Sequence, residues 1–352
     1  MYLDLFRLRE FPFRLTPDLD FLFMSDAHAR AKAYMDYTVW NREGFVVITG
    51  EIGCGKTTLI QKLLSELDGE DVLVAKVFQT QLDEMEFLQA VLVEFGLNPF
   101  NAKKVELIDM LNTFLVDNFS QDRQIVLVVD DAHNLGVKVL EELRMLSGLE
   151  TQKEKILHII LVGQPQLNDM LDSPELEQLL QRVRLRYHIK SLSEENTAKY
   201  IEHRLRVAGA ERTNIFSPDT ISVIQRYTGG IPRLINTLCD TAMICAYADS
   251  IESVNATVVQ SAVEELQWLP YAKRVNAKRA RERSRQGNSG VDGTSQLMPN
   301  ISNRLNQLDA LIPALSMMSD RLGSIEALLK NLVDIVAEDR DVRVSGKFGK
   351  RN

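Results

Sequence analysis

The sequence predicts an α/β protein with a parallel five-stranded sheet in an αβα core, followed by a small all-helical domain and a C-terminal helical tail. Short apolar runs alternate with helical patterns and lie at 45–49, 72–78, 125–129, 156–162 and 185–189. Strand patterns stop near residue 190, and only helical periodicity follows. Such alternation is typical of a parallel sheet with helices on both faces.

The helical patterns divide the chain into five parts. In the core we expect helices at about 56–67, 82–95, 104–118, 137–149 and 166–182. The later helices, at about 193–208, 218–228, 232–248 and 256–267, form a lid. We therefore expect an N-terminal segment at 1–40, extended until a helix at 27–40, a core at 41–190 and a lid at 191–268. A basic run with a polar linker at 269–303 and an amphipathic or coiled-coil helix at 304–338 follow.

Composition limits the class of protein. The 352 residues are 45% hydrophobic and carry a net charge of -8, which favours a globular core and argues against general coating of nucleic acid. The three cysteines are odd in number, which suits a reducing compartment. The sequence shows neither a signal-peptide pattern nor an apolar run long enough to cross a bilayer. We expect a cytoplasmic protein.

The strongest motif is a phosphate-binding loop between the first strand and the first core helix. It satisfies G-x-x-x-x-G-K-[ST] and consists of Gly50, Glu51, Ile52, Gly53, Cys54, Gly55, Lys56, Thr57 and Thr58. Glycines let backbone N–H groups turn toward phosphate oxygens, and the helix N-terminus adds a partial positive charge. In such loops the lysine neutralises the β- and γ-phosphates and the threonine hydroxyl reaches Mg²⁺. Lys56 and Thr57 are the candidates for these roles.

A second motif is the apolar run 125–129 that ends in Asp130 and Asp131. A buried strand that ends in a carboxylate after a phosphate loop is the Walker B pattern. Asp130 is the candidate that holds Mg²⁺, commonly through water. Asp131 is the candidate base that orients the attacking water.

Together these motifs resemble a known family. The N-terminal aromatic segment, GEIGCGKTT, VLVVDDAHNL, LVGQPQL and GGIPRLIN are similar to the ExeA/GspA-type AAA+ ATPases, over about residues 1–268. That family serves type II secretion, pilus-type assembly and exopolysaccharide or exosortase systems. The chain is also similar to the transposition ATPases of the TniB/TnsC kind. The resemblance implies an AAA+ P-loop fold, ATP and Mg²⁺ as cofactors, and a homo-oligomeric ring or helix.

The resemblance also implies roles near the second motif. Asp131 stands where the family has glutamate, and the shorter side chain predicts slow or switch-like hydrolysis. His133 replaces the family's glutamine, and a loop histidine is favoured over a γ-phosphate sensor. Gln164 matches sensor 1, although a polar residue in a turn is an equally good interpretation.

Three arginines match nucleotide-contacting positions of the family. Arg182 and Arg184 stand where the family supplies an arginine finger to the neighbouring subunit, and solvated arginines are the alternative interpretation. The sequence does not separate the two. Arg233 matches sensor 2, because Pro232 begins its helix and places Arg233 near the N-terminus.

The preferred function is a Mg²⁺-dependent ATPase that drives or switches a protein partner in secretion, pilus or exopolysaccharide assembly. One alternative is a DNA-binding ATPase that regulates transposition or replication, since seven basic residues lie between Lys273 and Arg285. That run also suits an acidic partner, peripheral contact with the inner membrane, or a solvated helix. A low-turnover nucleotide-gated scaffold is the third hypothesis.

Overall fold

The fold is described from a computed structural model, which covers residues 2–78, 80–151, 154–212 and 214–286. Residues up to Ala277 form one compact unit. Within it, the N-terminal segment, an α/β core and a helical lid follow one another along the chain.

The five predicted strands form one parallel sheet. They are β1 (Phe45–Gly50), β2 (Val72–Val77), β3 (Gln124–Val129), β4 (Leu157–Gly163) and β5 (Val183–Ile189). Their order across the sheet is β2-β3-β4-β1-β5. Because all strands run in the same direction, the ends of β1 and β3 reach the same edge of the sheet, with β4 between them. This edge carries both chemical motifs.

Helices flank the sheet and fill the rest of the unit. Before β4 they are α1 (Tyr2–Phe6), α2 (Asp26–Trp40), α3 (Lys56–Leu67), α4 (Glu84–Glu94), α5 (Lys104–Ser120) and α6 (Val137–Leu146). After β4 they are α7 (Gln166–Leu171), α8 (Glu177–Leu180), α9 (Glu194–Val207), α10 (Thr220–Thr228), α11 (Pro232–Ala248), α12 (Ala256–Glu265) and α13 (Tyr271–Gln286).

Two apolar layers sandwich the sheet. Along β1, Phe45 and Val47 belong to the cluster that includes residues of α4, α5 and α6. The alternate residues Val46 and Ile48 belong to the cluster that includes residues of α2 and α3. Successive side chains of a strand point to opposite faces, so a strand covered on both sides is apolar throughout. This explains why the central strands appear in the sequence as continuous apolar runs.

The lid consists of α9 to α12 and has its own core. This cluster also contains Tyr2, Phe6, Phe13 and Phe21 of the N-terminal segment. The first residues were expected to be extended, but Tyr2–Phe6 forms α1. Residues four apart in a helix share a face, so Tyr2 and Phe6 are both buried.

One predicted core helix is wrong in its extent. The segment expected as a single helix at 166–182 is divided into α7, a 3₁₀ turn at Pro174–Leu176, and α8. Proline has no N–H to donate and its ring clashes with the carbonyl four residues before it, so α7 ends ahead of Pro174.

The predicted basic run and tail are described only in part. Residues 271–286 form α13, whereas the rest of the linker to 303 and the amphipathic segment at 304–338 lie outside the described residues. Over the described part of the chain, no helix combines the length and the apolar character that crossing a membrane requires.

Candidate functional site

The phosphate-loop motif connects β1 to α3 at the carboxyl edge of the sheet. Gly53 and Gly55 have φ of 82° and 93°, a left-handed conformation that glycine adopts without strain. The loop therefore turns tightly into the N-terminus of α3, where unpaired N–H groups create a positive potential. The Lys56 ammonium donates to the carbonyls of Gly50 (2.8 Å) and Glu51 (3.0 Å). This arrangement suits a bound phosphate.

Thr57 and Asp130 meet at this edge of the sheet. The Thr57 hydroxyl donates to Asp130 Oδ2 at 2.7 Å, and the Asp131 N–H donates to Asp130 Oδ1 at 2.8 Å. Burial raises the pKa of the Asp130 carboxyl, although both hydrogen bonds act in the opposite direction. A buried carboxylate beside a hydroxyl is a donor set that Mg²⁺ accepts, because this cation prefers oxygen ligands. The pair fits the ion that the sequence implies.

The turn after β3 holds Asp131 and His133, and it lies beside Gln164, which directly follows β4. Asp131 has a left-handed backbone with φ 50°, and its carbonyl accepts a hydrogen bond from the Thr80 hydroxyl at 3.1 Å. His133 Nδ1 lies 3.9 Å from the Asp131 carboxylate, and its Nε2 lies 2.6 Å from the side-chain nitrogen of Gln164. Burial lowers the pKa of His133. His133 thus has partners within its own chain.

Arg233 connects the lid to the phosphate loop. Its backbone N–H donates to the Gly53 carbonyl at 3.1 Å. A Cβ atom at Gly53 would overlap the Arg233 side chain. The first turn of α11 therefore lies directly on the loop, and Gly53 is required for this close approach as well as for its φ.

A cleft of about 460 Å³ lies beside these groups. Its phosphate side is formed by residues 52–58 with Asp131, Gln164 and Arg233. The opposite side is formed by the N-terminal segment and lid, through Arg14, Leu15, Thr16, Pro17, Asp18, Phe21, Leu22, Phe23, His28, Leu192, Tyr200, Arg204, Pro232 and Asn236. The cleft thus combines charged side chains such as Lys56 and Arg233 with apolar side chains such as Leu22 and Phe23. Phe13 and Phe21 are buried in the lid core.

The two candidate finger arginines lie far from this cleft. Val183 pairs with Phe45 at the start of β1, so Arg182 and Arg184 are at the opposite edge of the sheet from the phosphate loop. Arg182 donates to the Arg144 carbonyl (2.7 Å) and the Ser147 hydroxyl (2.8 Å). Arg184 forms an ion pair with Glu43, and 61% of its side chain is exposed.

Several cleft residues were not singled out from the sequence, among them Tyr200, Arg204, Asn236 and His28. Tyr200 donates its hydroxyl to Asn236 at 2.7 Å, and Arg204 donates to the Tyr200 oxygen at 3.1 Å. His28 contacts the phosphate loop through the carbonyl of Cys54. For His28 a weak signal exists, since Ser25 three residues earlier is a good helix cap. The lid residues belong to ordinary helical patterns and carry no such signal.

Comparison with known proteins supports the family that the sequence motifs indicate. An AAA-domain family matches residues 40–171. Over 250 residues the chain is 41% identical to general secretion pathway protein A of Aeromonas hydrophila. The match covers 70% of this chain and 45% of that protein, so the chain spans about half the length of this relative.

Solved structures share the architecture. Cdc6p of Pyrobaculum aerophilum aligns with a TM-score of 0.54 at 15% identity, over 71% of each chain. The ORC2 protein of Aeropyrum pernix, in its ADPNP–ADP complexes, aligns with a TM-score of 0.51 at 17% identity. That alignment covers 68% of this chain and 66% of the other, and at these identities the likeness shows the fold alone. The fold, the AAA-domain match and the 41% identity together show that this chain is a P-loop NTPase of the AAA type related to general secretion pathway protein A, as its motifs predicted.

Proposed function

We propose that this protein binds ATP with Mg²⁺ in the described cleft and hydrolyses it. The observation that carries the proposal is the 2.7 Å hydrogen bond between Thr57 and Asp130, formed beside Lys56 at the start of α3. It joins a hydroxyl and a buried carboxylate next to a fixed ammonium, which are the groups that a nucleotide triphosphate and its cation need. The cleft beyond the loop, lined by the N-terminal segment and the lid, would accommodate the nucleoside.

Each residue has a role that its position supports. Backbone N–H groups of residues 53–58 hold phosphate oxygens, Lys56 neutralises their charge, and Arg233 contacts the nucleotide from the lid. Thr57 and Asp130 hold Mg²⁺, which supplies charge stabilisation at the β- and γ-phosphates. Asp131 orients the attacking water, and Gln164 beside His133 senses the γ-phosphate. The shorter side chain of Asp131, compared with glutamate, favours slow turnover.

A homo-oligomer completes the site in this proposal. Arg184 is exposed at the amino edge of β5, so it can reach a neighbouring copy more readily than Arg182, which is bonded within its own chain. A guanidinium placed on the transferred phosphoryl group from the next subunit stabilises the charge that develops there. ATP would then join subunits, and hydrolysis would loosen them.

The relative's name suggests the setting. General secretion pathway protein A is the printed name of the protein that matches 70% of this chain. We propose that the oligomer drives or switches a protein client of a secretion, pilus or exopolysaccharide assembly system. It would work in the cytoplasm or at the inner membrane, with the basic run as the membrane contact.

A DNA-dependent ATPase is the second candidate, since α13 carries all seven basic residues of the run between Lys273 and Arg285. One member of that run is already used for packing. The Arg274 guanidinium donates to the Tyr227 carbonyl and lies 4.5 Å from the Trp268 ring centroid. The contact gives α13 a structural role in the lid, which favours the protein-client hypothesis over DNA.

The test is steady-state ATP hydrolysis as a function of protein concentration, with Lys56→Ala and Asp130→Asn as inactive controls. Specific activity that rises with concentration and is absent in both variants supports a shared active site. A parallel series with duplex DNA tests the second candidate through strong stimulation. Tight nucleotide binding without turnover would indicate the scaffold hypothesis instead.

A further inference from the structure

His28 is a buried side chain bonded at both ring nitrogens. It lies in the first turn of α2 and is 4% exposed. Its Nε2 is 2.8 Å from the Cys54 carbonyl oxygen, and its Nδ1 is 2.7 Å from the Ser25 hydroxyl. The contact joins the helix that follows the N-terminal segment to the middle of the phosphate loop, 26 residues away.

The chemistry of these partners fixes the direction of both hydrogen bonds. A carbonyl oxygen only accepts, so Nε2 carries the proton and donates to Cys54. In a neutral imidazole the other nitrogen then accepts, so the Ser25 hydroxyl donates to Nδ1. The Ser25 oxygen in turn accepts the His28 backbone N–H at 3.4 Å, as the cap of α2. Burial lowers the pKa of His28, which is consistent with the neutral form.

The bonded carbonyl lies where its orientation matters most. A loop that binds phosphate must present N–H groups to the anion and keep its carbonyl oxygens away from it. The next residue is Gly55, whose φ of 93° reverses the chain into α3. A Cβ atom at Gly55 would lie 3.2 Å from His28 Nε2, so the imidazole is packed against the turn itself.

We propose that His28 is a positioning residue for nucleotide binding, because its Nε2–H holds the Cys54 carbonyl outward and so keeps the N–H groups of the phosphate loop directed at the phosphates. This inference rests on the proposed binding of nucleotide. His28 moves no proton in the reaction, since both its nitrogens are used in fixed bonds. Ser25 acts through His28, by orienting the ring.

Three substitutions separate the hydrogen bond from the shape of the ring. His28→Phe keeps a planar ring and removes the donor. His28→Gln replaces the ring with an amide whose Nε2 occupies the place of the imidazole Nε2 and still donates. His158→Phe makes the same chemical change in β4, where the buried ring donates through Nδ1 to the Glu43 carbonyl at 2.8 Å, at the edge of the sheet opposite the phosphate loop.

The experiment measures the dissociation constants of Mg²⁺-ATP and ADP by calorimetry, then KM and kcat, and thermal unfolding for every variant. We expect His28→Phe to weaken nucleotide binding about 10-fold, because the Cys54 carbonyl loses a buried donor. KM should rise more than kcat falls. His28→Gln should bind within about 3-fold of the natural chain, and a folded His158→Phe should bind as the natural chain does.

Ser25→Ala, alone and combined with His28→Phe, tests whether Ser25 affects nucleotide binding through the imidazole. It should weaken binding in the natural chain but have no further effect in the His28→Phe background, because Ser25 acts through the imidazole. Equal binding by His28→Phe and the natural chain would overturn the inference alone. Equally weak binding by His28→Gln and a folded His28→Phe would also overturn it. Absence of nucleotide binding by the natural chain would instead refute the proposed function on which the inference rests.

Discussion

Arg204 and Pro12 are 192 positions apart in the chain and are joined by a buried hydrogen bond from the guanidinium Nε to the proline carbonyl. The same guanidinium donates to the Arg14 carbonyl at 3.3 Å and lies 4.8 Å from the Phe21 ring centroid. One lid residue therefore holds the N-terminal segment at two carbonyls and one aromatic ring. This attachment places residues 14–18 along the cleft.

Arg204→Met should release the N-terminal segment. The substitution keeps an apolar stem but removes the side-chain donor to the Pro12 carbonyl and one of two donors to the Arg14 carbonyl, which still accepts from the Asn236 amide at 3.3 Å. We expect the free energy of unfolding to fall by about 3 kcal/mol, and nucleotide binding to weaken because residues 14–18 lose their anchor. Urea unfolding followed by circular dichroism measures the first effect.

Arg206→Met on the same helix is the matched control for that variant. Arg206 is exposed and pairs only with Glu202 among the described contacts, so its loss should change stability by less than about 1 kcal/mol. Equal effects of the two substitutions would show that the guanidinium of Arg204 does not anchor the segment.

The phosphate loop could be predicted from the sequence, whereas the contact of Arg204 with Pro12 could not. The loop from Gly50 to Thr58 is local, so its glycines, lysine and flanking strand predict both its conformation and its chemistry. Parallel strands covered on both faces appear as apolar runs, which made the sheet predictable. Arg204 meets Pro12, and His28 meets Cys54, only after the lid and core have folded. Contacts between residues so far apart leave no periodicity or spacing in the sequence, so these parts of the site could not be predicted from it.

Gly229→Ala tests the connection between α13 and the lid. Gly229 ends α10 with φ 62°, and a Cβ atom there would overlap the Tyr271 ring of α13. We expect a loss of about 2–4 kcal/mol in the free energy of unfolding, from backbone strain and from the displaced ring. Differential scanning calorimetry on the purified chain measures it.

Gly69→Ala isolates the contribution of the backbone. Gly69 has φ 90°, and nothing lies within 4 Å of the position of its Cβ, so only strain should appear. That variant should cost about 1 kcal/mol. If both alanine variants lose the same stability, the Tyr271 ring is not packed on Gly229 in solution.

His158 predicts a stability that depends on pH. It lies buried in β4, and its Nδ1 donates to the Glu43 carbonyl at 2.8 Å. Burial lowers its pKa, with nearby Arg42 acting in the same direction and Glu154 against it. The unfolded chain therefore binds this proton at a higher pH than the folded chain does. Protonation of His158 does not affect stability at a pH well above the unfolded pKa of about 6.5. Below that pH, the free energy of unfolding falls as the pH decreases.

The matched variant for this prediction is His158→Asn, whose side-chain amide can keep the bond to Glu43 but does not titrate. We measure the free energy of unfolding at intervals from pH 7.5 to 5. The natural chain should lose stability more steeply, by up to about 1.4 kcal/mol per pH unit for this one proton. Parallel curves for the two proteins would mean that His158 is not buried in its neutral form.

The positions of Arg182 and Arg184 predict that alanine at one site lowers stability and alanine at the other lowers ATP hydrolysis. Arg184→Ala removes an exposed ion pair, so stability should change by less than about 1 kcal/mol, while ATP hydrolysis by the oligomer should fall by about 10³-fold. Arg182→Ala removes the donor to the Ser147 hydroxyl and one of two donors to the Arg144 carbonyl, which still accepts from that hydroxyl at 2.7 Å, so it should lower stability by about 1–3 kcal/mol. Unfolding and steady-state hydrolysis of each variant separate the two roles.

Mixed oligomers decide whether Arg184 acts on a neighbour. Lys56→Ala subunits lack a working phosphate loop but retain Arg184, whereas Arg184→Ala subunits retain the loop. Each variant alone should be inactive, and a mixture should recover activity, because some interfaces then combine an intact loop with an intact arginine. At equal amounts about one interface in four has this combination, which sets the expected recovery if subunits mix at random and act independently. Recovery can only come from an arginine that crosses the interface. A mixture as inactive as its components, although the subunits exchange, would place the role of Arg184 within its own chain.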